Sequence, residues 1–415
     1  AVGGAQEPMP NDTFVVKEGS LLGGRWNVKK RVGRGTFSEI FEASDKRGAR
    51  DGSGRHPHLA VKVARDADKC SMLLHEEEVL SDLQSSQYIA RYVELGREAG
   101  IHYLVMQLLG DNLSELRRTT PTKRFSLRIV AQLGLQMVEA IREMHENGYV
   151  HRDIKPSNFC IGLPTHSGGG GDGPGEGEGR CYILDFGLAR RWKERDGEVR
   201  QAREWVEFRG TCRYASKHSH MSEELGRRDD IWSLLYMLLE LFGGELPWHV
   251  TRDRDAVLEM KRDHERAMLS ARGATRSNHG VPVPAGFTQL FQHVHSLTFD
   301  ETPDYDFLQR TLAALAPTPP GAEPLSATGA GGRVPAAATV LDWAAEGATP
   351  SKRHMRAGAA AAAAARQSGS GLLAPSAHDS ALTRHDGANF RHDGAGPFGS
   401  GGGGGGGSGG GGGSV

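Results

Sequence analysis

The sequence has little of several features that would place it in a specialised class of proteins. Its 415 residues include only four cysteines, which fit neither a disulfide framework nor a zinc-binding spacing. The net charge is −1, so the basic excess typical of general nucleic-acid binding is missing. The most apolar stretch, Ile231–Phe242, is too short to cross a bilayer and contains Glu240. We therefore expect a globular protein with reduced thiols that binds neither nucleic acid nor membranes.

The N-terminal residues have neither the basic segment nor the apolar segment of a secretory leader. Together with the expected free thiols, this predicts a cytoplasmic protein, with the nucleus as a second location. Residues 1–20 are polar, and we expect them to be flexible.

Glycine is abundant instead, and its distribution divides the chain. Of 57 glycines, 24 lie in residues 321–415 and eight in the run Ser167–Gly179. The end of the chain is rich in Ala, Gly, Pro and Ser, and it can bury too little apolar surface to offset its chain entropy. We predict one folded domain over 21–315 and a disordered low-complexity tail over 316–415.

Local patterns divide the folded region into two parts. Residues 21–110 read mostly as strands, with one helix at Met72–Leu83. Residues 111–315 read mainly as helices, among them the amphipathic Ser126–Asn147 and the almost wholly apolar Ile231–Phe242. A small strand-rich lobe followed by a larger helical lobe predicts an α+β, bilobal fold with a cleft between the lobes.

A glycine-rich segment lies between two predicted strands. Its glycines would let the backbone close over phosphate groups with amide N–H groups as donors, and Ser38 stands where a third glycine would be expected. Considered alone, the segment is explained equally well as a simple β-turn. The candidate phosphate-binding residues are Gly33, Arg34, Gly35, Thr36, Phe37 and Ser38.

Lys62 ends a short apolar run and could hold phosphate groups if a carboxylate fixed its ammonium. Glu76 is the preferred partner because it shares the inward face of the predicted helix, and Glu77 and Glu78 are close competitors. The alternative is that these glutamates lie on a solvated acidic face of the helix, and this must be true of two of the three.

The strongest signal is the octet His151–Asn158, followed downstream by Asp185-Phe-Gly. Asp153 could accept the proton of an attacking hydroxyl, and Lys155 could neutralise charge on a moving phosphoryl group. Asn158 and Asp185 offer oxygen ligands for Mg²⁺. The order of these motifs, after a glycine loop and a strand lysine, makes a chance match very rare.

The two metal-binding candidates should lie close together. Short apolar runs at Phe159–Ile161 and Cys181–Leu184 can pair as a hairpin, which would bring Asn158 and Asp185 to the same end. The glycine-rich run between them lengthens the connection and should loop into solvent.

With these motifs in place, the chain resembles the eukaryotic protein kinases over roughly residues 21–315. More closely it resembles the casein kinase 1 group, and within that group the tau-tubulin kinases. Tyr214-Ala-Ser216-Lys-His stands where most kinases carry Ala-Pro-Glu, as in the casein kinase 1 form. The closer match lies in Val105–Gly110, Asp153–Phe159, Cys181–Arg190, Phe208–Ser216, Gly226–Leu234 and Leu246–Trp248.

The resemblance implies the bilobal kinase fold, with an N-lobe over about 21–106, a hinge at 107–110 and a C-lobe over 111–315. It implies ATP and Mg²⁺ as cofactors. Met106 would be the gatekeeper, and the hinge backbone from Gln107 to Leu109 would bind adenine between Ala60 and Ile40.

The resemblance also implies roles near the reacting groups. Thr211 would contact Asp153 and Lys155. Asp230 would brace the backbone at His151, and its alternative reading is a helix N-cap. Lys155 implies protein serine and threonine hydroxyls as substrates, phosphorylated by a monomeric catalytic domain.

The segment between Gly187 and Gly210 contains no Ser, Thr or Tyr. The protein therefore cannot be activated by phosphorylation of this segment, which predicts constitutive activity. Arg152 would then need another anion or none. The acids available in the segment are Glu194, Asp196, Glu198, Glu204 and Glu207.

Basic residues crowd the same segment, which would lie beside the substrate cleft. They favour acidic or already phosphorylated substrates, or alternatively they pair with the segment's own acids. A pseudokinase scaffold is the other reading of the whole chain, although all four core motif residues are present. The basic residues of the segment are Arg190, Arg191, Lys193, Arg195, Arg200, Arg203 and Arg209, and Arg213 lies nearby.

Overall fold

The computed structural model describes residues 15–35, 37–48, 58–65, 69–163, 179–194, 196–270, 277, 279–316 and 341. Predictions for Thr36, for Arg195, for most of the glycine-rich run and for nearly all of the tail lie outside these residues. Leu341, the described residue of the tail, is buried against the apolar core at 6% exposure.

The N-terminal part is a six-stranded antiparallel sheet in the order β1-β2-β3-β4-β6-β5. Side chains alternate across it: Val61 and Val63 of β4 join an apolar cluster on one face, whereas Ala60 and Ala64 join the main core on the other. Lys62, with the same parity as Ala60, therefore faces the main core. The strands are Leu21–Leu22, Trp26–Arg34, Ser38–Asp45, His58–Ala64, Tyr92–Glu98 and Ile101–Gln107.

Helix α1, Cys70–Asp82, packs against the sheet face that carries Lys62. Its buried residues include Leu73, Glu76 and Leu80, spaced three and four apart as a single helix face requires. A charged residue on that face must have a partner, because an unpaired buried carboxylate is costly.

The C-terminal part is helical. Helix α3 (Leu127–Glu146) begins after Ser126, whose hydroxyl oxygen accepts a hydrogen bond from the Ile129 N–H at 3.3 Å. Asn147 follows its last residue. Helix α5 is buried on nearly every side and packs against α3. Helices α2 to α8 are Leu113–Thr119, Leu127–Glu146, Lys217–His220, Arg227–Gly243, Arg254–Leu269, Ala285–Ser296 and Tyr305–Leu315.

The described residues between α3 and α4 include four short strands: β7 (Tyr149–Val150), β8 (Phe159–Ile161), β9 (Cys181–Ile183) and β10 (Arg190–Arg191). Strands β8 and β9 pair antiparallel, so the predicted hairpin is present. Strand β10 pairs antiparallel with β7. These two pairings fix the segments that follow β7 and β9.

The predicted helices and the glycine-loop strands are present, whereas β5, α2 and α6 were not anticipated from the sequence. All four cysteines are free thiols. Among the described helices, none combines the length and apolarity that a membrane crossing needs.

Candidate active site

Lys62 lies at the centre of a buried ion cluster. Its ammonium donates to both Glu76 carboxylate oxygens at 2.7 and 2.6 Å, and to Asp185 Oδ1 at 3.0 Å. Lys62 and Glu76 are 7% and 5% exposed. The structure thus selects Glu76 among the three glutamates, because Glu77 and Glu78 lie on other faces of α1.

The charges in this cluster hold one another ionised. Burial opposes the charged form of Lys62, but Asp185 and Glu76 outweigh it and raise the pKa of the ammonium. The positive charge of Lys62 lowers the pKa of Asp185 against the effect of burial. For Glu76, burial raises the pKa and Lys62 opposes that shift.

Asp185 has a left-handed backbone, with φ of 69° and ψ of 73°. Such a conformation is uncommon for a residue with a side chain and is held here by its surroundings. The next residue, Phe186, is buried and packs edge-on against His151 with ring centroids 5.7 Å apart. This anchors the turn that directs the Asp185 carboxylate toward Lys62.

Asn158 and Asp185 are brought together by the β8–β9 hairpin. The Leu184 N–H donates to the Asn158 carbonyl at 2.9 Å, and the Asn158 amide nitrogen donates to the Asp153 carbonyl at 2.9 Å. The amide oxygen is then left to act as a ligand. No cluster of three His, Cys, Asp or Glu occurs within the described ranges, so a bound Mg²⁺ would need phosphate or water oxygens as well.

A second cluster joins Asp153, Lys155 and Thr211. The Lys155 ammonium donates to Asp153 Oδ2 at 2.5 Å and to the Thr211 hydroxyl oxygen at 3.3 Å. The Thr211 hydroxyl donates to Asp153 Oδ1 at 2.8 Å. Lys155 and Thr211 thus fix the orientation of the carboxylate of Asp153, which is 8% exposed.

Asp230, near the start of α5, fixes the loop that carries Asp153. Its carboxylate accepts the backbone N–H groups of His151 at 2.7 Å and Arg152 at 2.8 Å, and lies 2.9 Å from His145 Nε2. Burial opposes ionisation of Asp230, but these hydrogen bonds outweigh it and lower its pKa. These partners lie in the loop and, for His145, in α3, rather than in the first turn of α5.

Gly210 lies directly against this loop. Its φ is +95°, and a Cβ at this position would come 2.7 Å from the Arg152 carbonyl oxygen. Both the backbone conformation and the close approach require glycine here.

The glycine-rich segment joins β2 to β3. The Gly35 N–H donates to the Ser38 carbonyl at 2.8 Å, and Gly33 packs on Ile40. The Arg34 guanidinium lies 3.4 Å from a Glu39 carboxylate oxygen, and Phe37 is 41% exposed. The segment therefore closes on itself as a tight turn, beside the strand that carries Lys62.

The predicted hinge follows β6. Met106 is 7% exposed and lies opposite Ala60 of β4, while Ile40 lies opposite Lys62 in the adjoining strand pair. The strand pairing with β4 reaches Gln107 and includes neither Leu108 nor Leu109. The hinge backbone is thereby released from the sheet at the point where the two parts of the molecule meet.

The comparisons with known proteins agree with this geometry. The protein kinase domain family matches residues 26–301. The chain belongs to the protein kinase family. A Dictyostelium discoideum protein named as a serine/threonine-protein kinase is 42% identical over 294 residues, which is 71% of this chain and 54% of that protein. A Caenorhabditis elegans protein named likewise is 32% identical over 311 residues, covering 73% of this chain and 82% of its own length.

This kinase domain has a β-rich N-terminal part and a helical C-terminal part, as predicted. The chain spans only about half the length of the Dictyostelium relative.

The activation segment of this kinase domain is the stretch between Gly187 and Gly210, and the acid that pairs with its Arg190 and Arg203 was not among the five predicted. Arg152 donates to the Leu188 carbonyl at 2.7 Å, and the charge of Glu224, outside the segment, opposes the lowering of the Arg152 pKa. Glu224 pairs with Arg203 and lies 3.5 Å from Arg190. Sequence reasoning missed this residue because it follows the segment and belongs to no motif.

The other described bases of the segment, and the nearby Arg213, also have partners. Arg191 pairs with Asp82 of α1 at 2.6 Å, and Arg213 with Glu240 of α5 at 3.2 Å. Arg200 and Arg209 pair with Glu194 and Glu207, as the alternative reading expected, and Lys193 donates to the Glu146 carbonyl.

Lys261 of α6 is a second residue that sequence reasoning missed. It is fully buried, and its ammonium donates to the carbonyl oxygens of Cys212 at 2.7 Å and Ala215 at 2.5 Å. Its nitrogen lies over the rings of Tyr236 and Trp248, 5.1 and 5.5 Å from their centroids. Lys261 thereby fixes the backbone just after Thr211.

Proposed function

We propose that this protein is a serine/threonine protein kinase that transfers the γ-phosphoryl group of Mg-ATP to protein hydroxyls. The observation that carries the proposal is the Asp153–Lys155–Thr211 cluster, which orients a carboxylate beside a cation at hydrogen-bonding distances. In the Lys62–Glu76–Asp185 cluster, the Lys62 ammonium supplies positive charge for the phosphate groups, and Asp185 supplies a carboxylate for Mg²⁺.

Asp153 accepts the proton of the substrate hydroxyl as its oxygen forms a bond to the γ-phosphorus. The bond from that phosphorus to the bridging oxygen breaks, and ADP leaves with the electron pair. Lys155 is placed to stabilise negative charge on the transferred group, and Thr211 holds Asp153 in position. Most of the rate then comes from positioning and electrostatics.

The nucleotide would bind between the glycine-rich segment and the C-terminal part. Asn158 and Asp185 would hold Mg²⁺, which neutralises phosphate charge when bound, and Lys62 would contact the phosphates. Met106, Ala60, Ile40 and the Gln107–Leu109 backbone would enclose adenine. The Gly33–Ser38 segment would cover the phosphates.

The test is Mg-ATP turnover on casein by the wild-type protein and by Asp153→Asn. Removing the proton acceptor should lower kcat by at least about 100-fold. Nucleotide affinity should stay within a few-fold, measured by titration calorimetry. Asp263→Asn, an isosteric change at an exposed residue of α6, should keep the wild-type rate.

Equal turnover by wild type and Asp153→Asn would contradict the kinase proposal. Nucleotide binding without turnover by the wild type would favour the pseudokinase scaffold.

We propose further that the kinase is constitutively active. The support is the absence of Ser, Thr and Tyr from 188–209, together with the pairing of every described base in that segment. Protein made in bacteria and shown by mass spectrometry to be unphosphorylated should be active at once. A requirement for an added upstream kinase would contradict this.

We also propose a preference for acidic or phosphorylated substrates. A cavity of about 540 Å³ adjoins the catalytic cluster, and its lining includes Lys155, Arg213, His249 and Arg252 but no acid. A peptide with acidic residues around its serine should react about 10-fold faster than the same peptide with Asn and Gln at those positions. The ratio of the two rates should be smaller in Arg252→Gln than in the wild type. Equal rates on both peptides would rule out the preference.

Membership of the casein kinase 1 group is a proposal supported by Tyr214–His218 and the other matching segments. A cytoplasmic location, with the nucleus as the second compartment, is proposed from the free thiols. Imaging of the tagged full-length protein tests the location.

A further inference from the structure

Glu224 is a buried acid that the proposed reaction does not use. It precedes α5 and is 6% exposed. Its carboxylate accepts two hydrogen bonds from the Arg203 guanidinium, one of them at 3.1 Å, and lies 3.5 Å from Arg190 Nε. A carboxylate at this depth needs such partners, and here both partners belong to the activation segment.

Arg152 completes this arginine pocket, which consists of Arg152, Arg190 and Arg203. Burial and the charges of Arg190, Arg203 and Arg209 lower the pKa of Arg152 to about 10, and Glu224 opposes that shift. Without an anion, three guanidinium groups would repel one another in a partly buried site. Glu224 pairs with Arg190 and Arg203, and its charge acts on Arg152.

The three arginines come from separate parts of the chain. Arg152 directly precedes Asp153, Arg190 lies on β10 shortly after the Asp185 turn, and Arg203 lies in the middle of the activation segment. Because Glu224 pairs with Arg190 and Arg203 and its charge acts on Arg152, it links the loop that carries Asp153 to both parts of the activation segment. A hydrogen bond from the Val206 N–H to the Ser222 carbonyl at 2.8 Å reinforces the attachment.

We propose that Glu224 supplies, from within the fold, the negative charge that positions the activation segment for catalysis. It occupies the arginine pocket as a phosphorylated side chain would, and no residue from 188 to 209 can carry such a phosphate. Glu224 is a positioning residue, since it acts through Arg152, Arg190 and Arg203. This inference rests on the proposed kinase function.

The decisive variant is Glu224→Gln, which keeps the shape of the side chain and removes its charge. Loss of a charge-assisted contact should lower kcat on casein by about 10- to 100-fold. The KM for ATP should change little, because the Lys62 cluster is separate. Glu207→Gln is the matched control, since Glu207 is an exposed acid of the same segment paired with Arg209, and it should keep the wild-type kcat.

A role in charge rather than in packing is tested by rescue. Glu224→Ala opens the arginine pocket, so sodium sulfate should restore its activity in a saturable way, relative to sodium chloride at equal ionic strength. The wild type should show no such activation, because its own carboxylate fills the pocket. Glu224→Asp should retain more activity than Glu224→Gln.

Wild-type kcat in Glu224→Gln would overturn the inference. A loss of kcat in Glu224→Gln would also overturn it if sulfate does not restore Glu224→Ala, if Glu224→Asp retains no more activity, and if the thermal unfolding temperature is unchanged. The role of Glu224 would then be packing. If turnover by the wild type does not depend on Asp153, the proposed function itself is overturned. The failure of the inference and the failure of the proposed function therefore give different results.

Discussion

At the residue scale, the site depends on buried charges that each have a specific partner. Lys62 and Glu76 neutralise each other, and Asp230 is held by two backbone N–H groups and His145. Breaking such a contact leaves a buried charge unpaired, which costs about 3–5 kcal/mol. Neutral replacements at these positions should therefore affect folding as well as activity.

Glycine at 210 is required by its surroundings as well as by its backbone. Gly210→Ala should lower kcat by about 10-fold or more, because the new methyl group would displace the Arg152 carbonyl and with it the loop that carries Asp153. The KM for ATP should be nearly unchanged. Steady-state kinetics measures both values.

Gly197→Ala is a matched control for this prediction. Gly197 has the same φ of +95°, but nothing lies within 4 Å of a Cβ built there. The strain of a left-handed alanine is thus common to both variants. An equal loss of kcat in the two would show that backbone strain, not the close approach, limits Gly210.

At the scale of secondary-structure elements, α6 supports the backbone just after Thr211. Lys261 reaches from α6 to the carbonyl groups of Cys212 and Ala215. Burial lowers the pKa of its ammonium to about 7, while Glu265 opposes that shift. The contact connects a helix outside the motifs to the residues beside Thr211.

Lys261→Met should raise the KM for a peptide substrate by about 10-fold and leave the KM for ATP unchanged. It removes the donor from two carbonyl groups, each of which costs about 1–3 kcal/mol when buried without a partner. Kinetics and thermal unfolding measure the two effects.

Arg262→Met, the neighbouring exposed position on the same helix, should change neither the KM nor the unfolding temperature. A peptide KM unaffected in Lys261→Met would mean that α6 does not support substrate binding.

Elements with a regular apolar pattern could be predicted from the sequence, and others could not. Helix α3 follows its 3.6-residue pattern between Ser126 and Asn147, and β4 and β6 are short apolar runs. Strand β5 and helices α2 and α6 were not anticipated. Helix α6 is mostly charged, and its fully buried lysine gives no apolar signal.

At the scale of the whole molecule, several carboxylates with charged or hydrogen-bonding partners link stability to pH. The folded protein holds the pKa of Asp45, Asp185, Asp230 and Glu224 below their ordinary values. The unfolded chain therefore binds more protons in acid. The stability that these groups contribute is present above about pH 4 and is lost as pH falls through their folded pKa values.

Asp230→Asn should lower the free energy of unfolding at pH 7 by about 3–5 kcal/mol, because the amide cannot replace a carboxylate facing two N–H donors. The difference from wild type should shrink below about pH 4 as Asp230 takes up a proton. Urea unfolding between pH 3 and 7 measures it, with exposed Asp263→Asn as control. A difference that stays constant with pH would contradict the assignment.

The sequence by itself determined the chemistry. Asp153, Lys155, Asn158 and Asp185 lie in contiguous motifs whose order is recognisable without a structure. Their proximity follows from the pairing of two short strands, which local apolar patterns already indicate. Local information sufficed because the residues concerned are close in sequence or lie beside these paired strands.

Only the tertiary structure decided which residues outside the predicted set support that chemistry. It brought Glu224 to the activation segment and Lys261 to the backbone just after Thr211, whereas Glu76 was already the partner that helical spacing favoured for Lys62. Each of these contacts joins side chains from separate elements. The physical reason is that a buried charge takes whichever partner the packing of distant segments provides, and that packing leaves no periodic mark in the sequence.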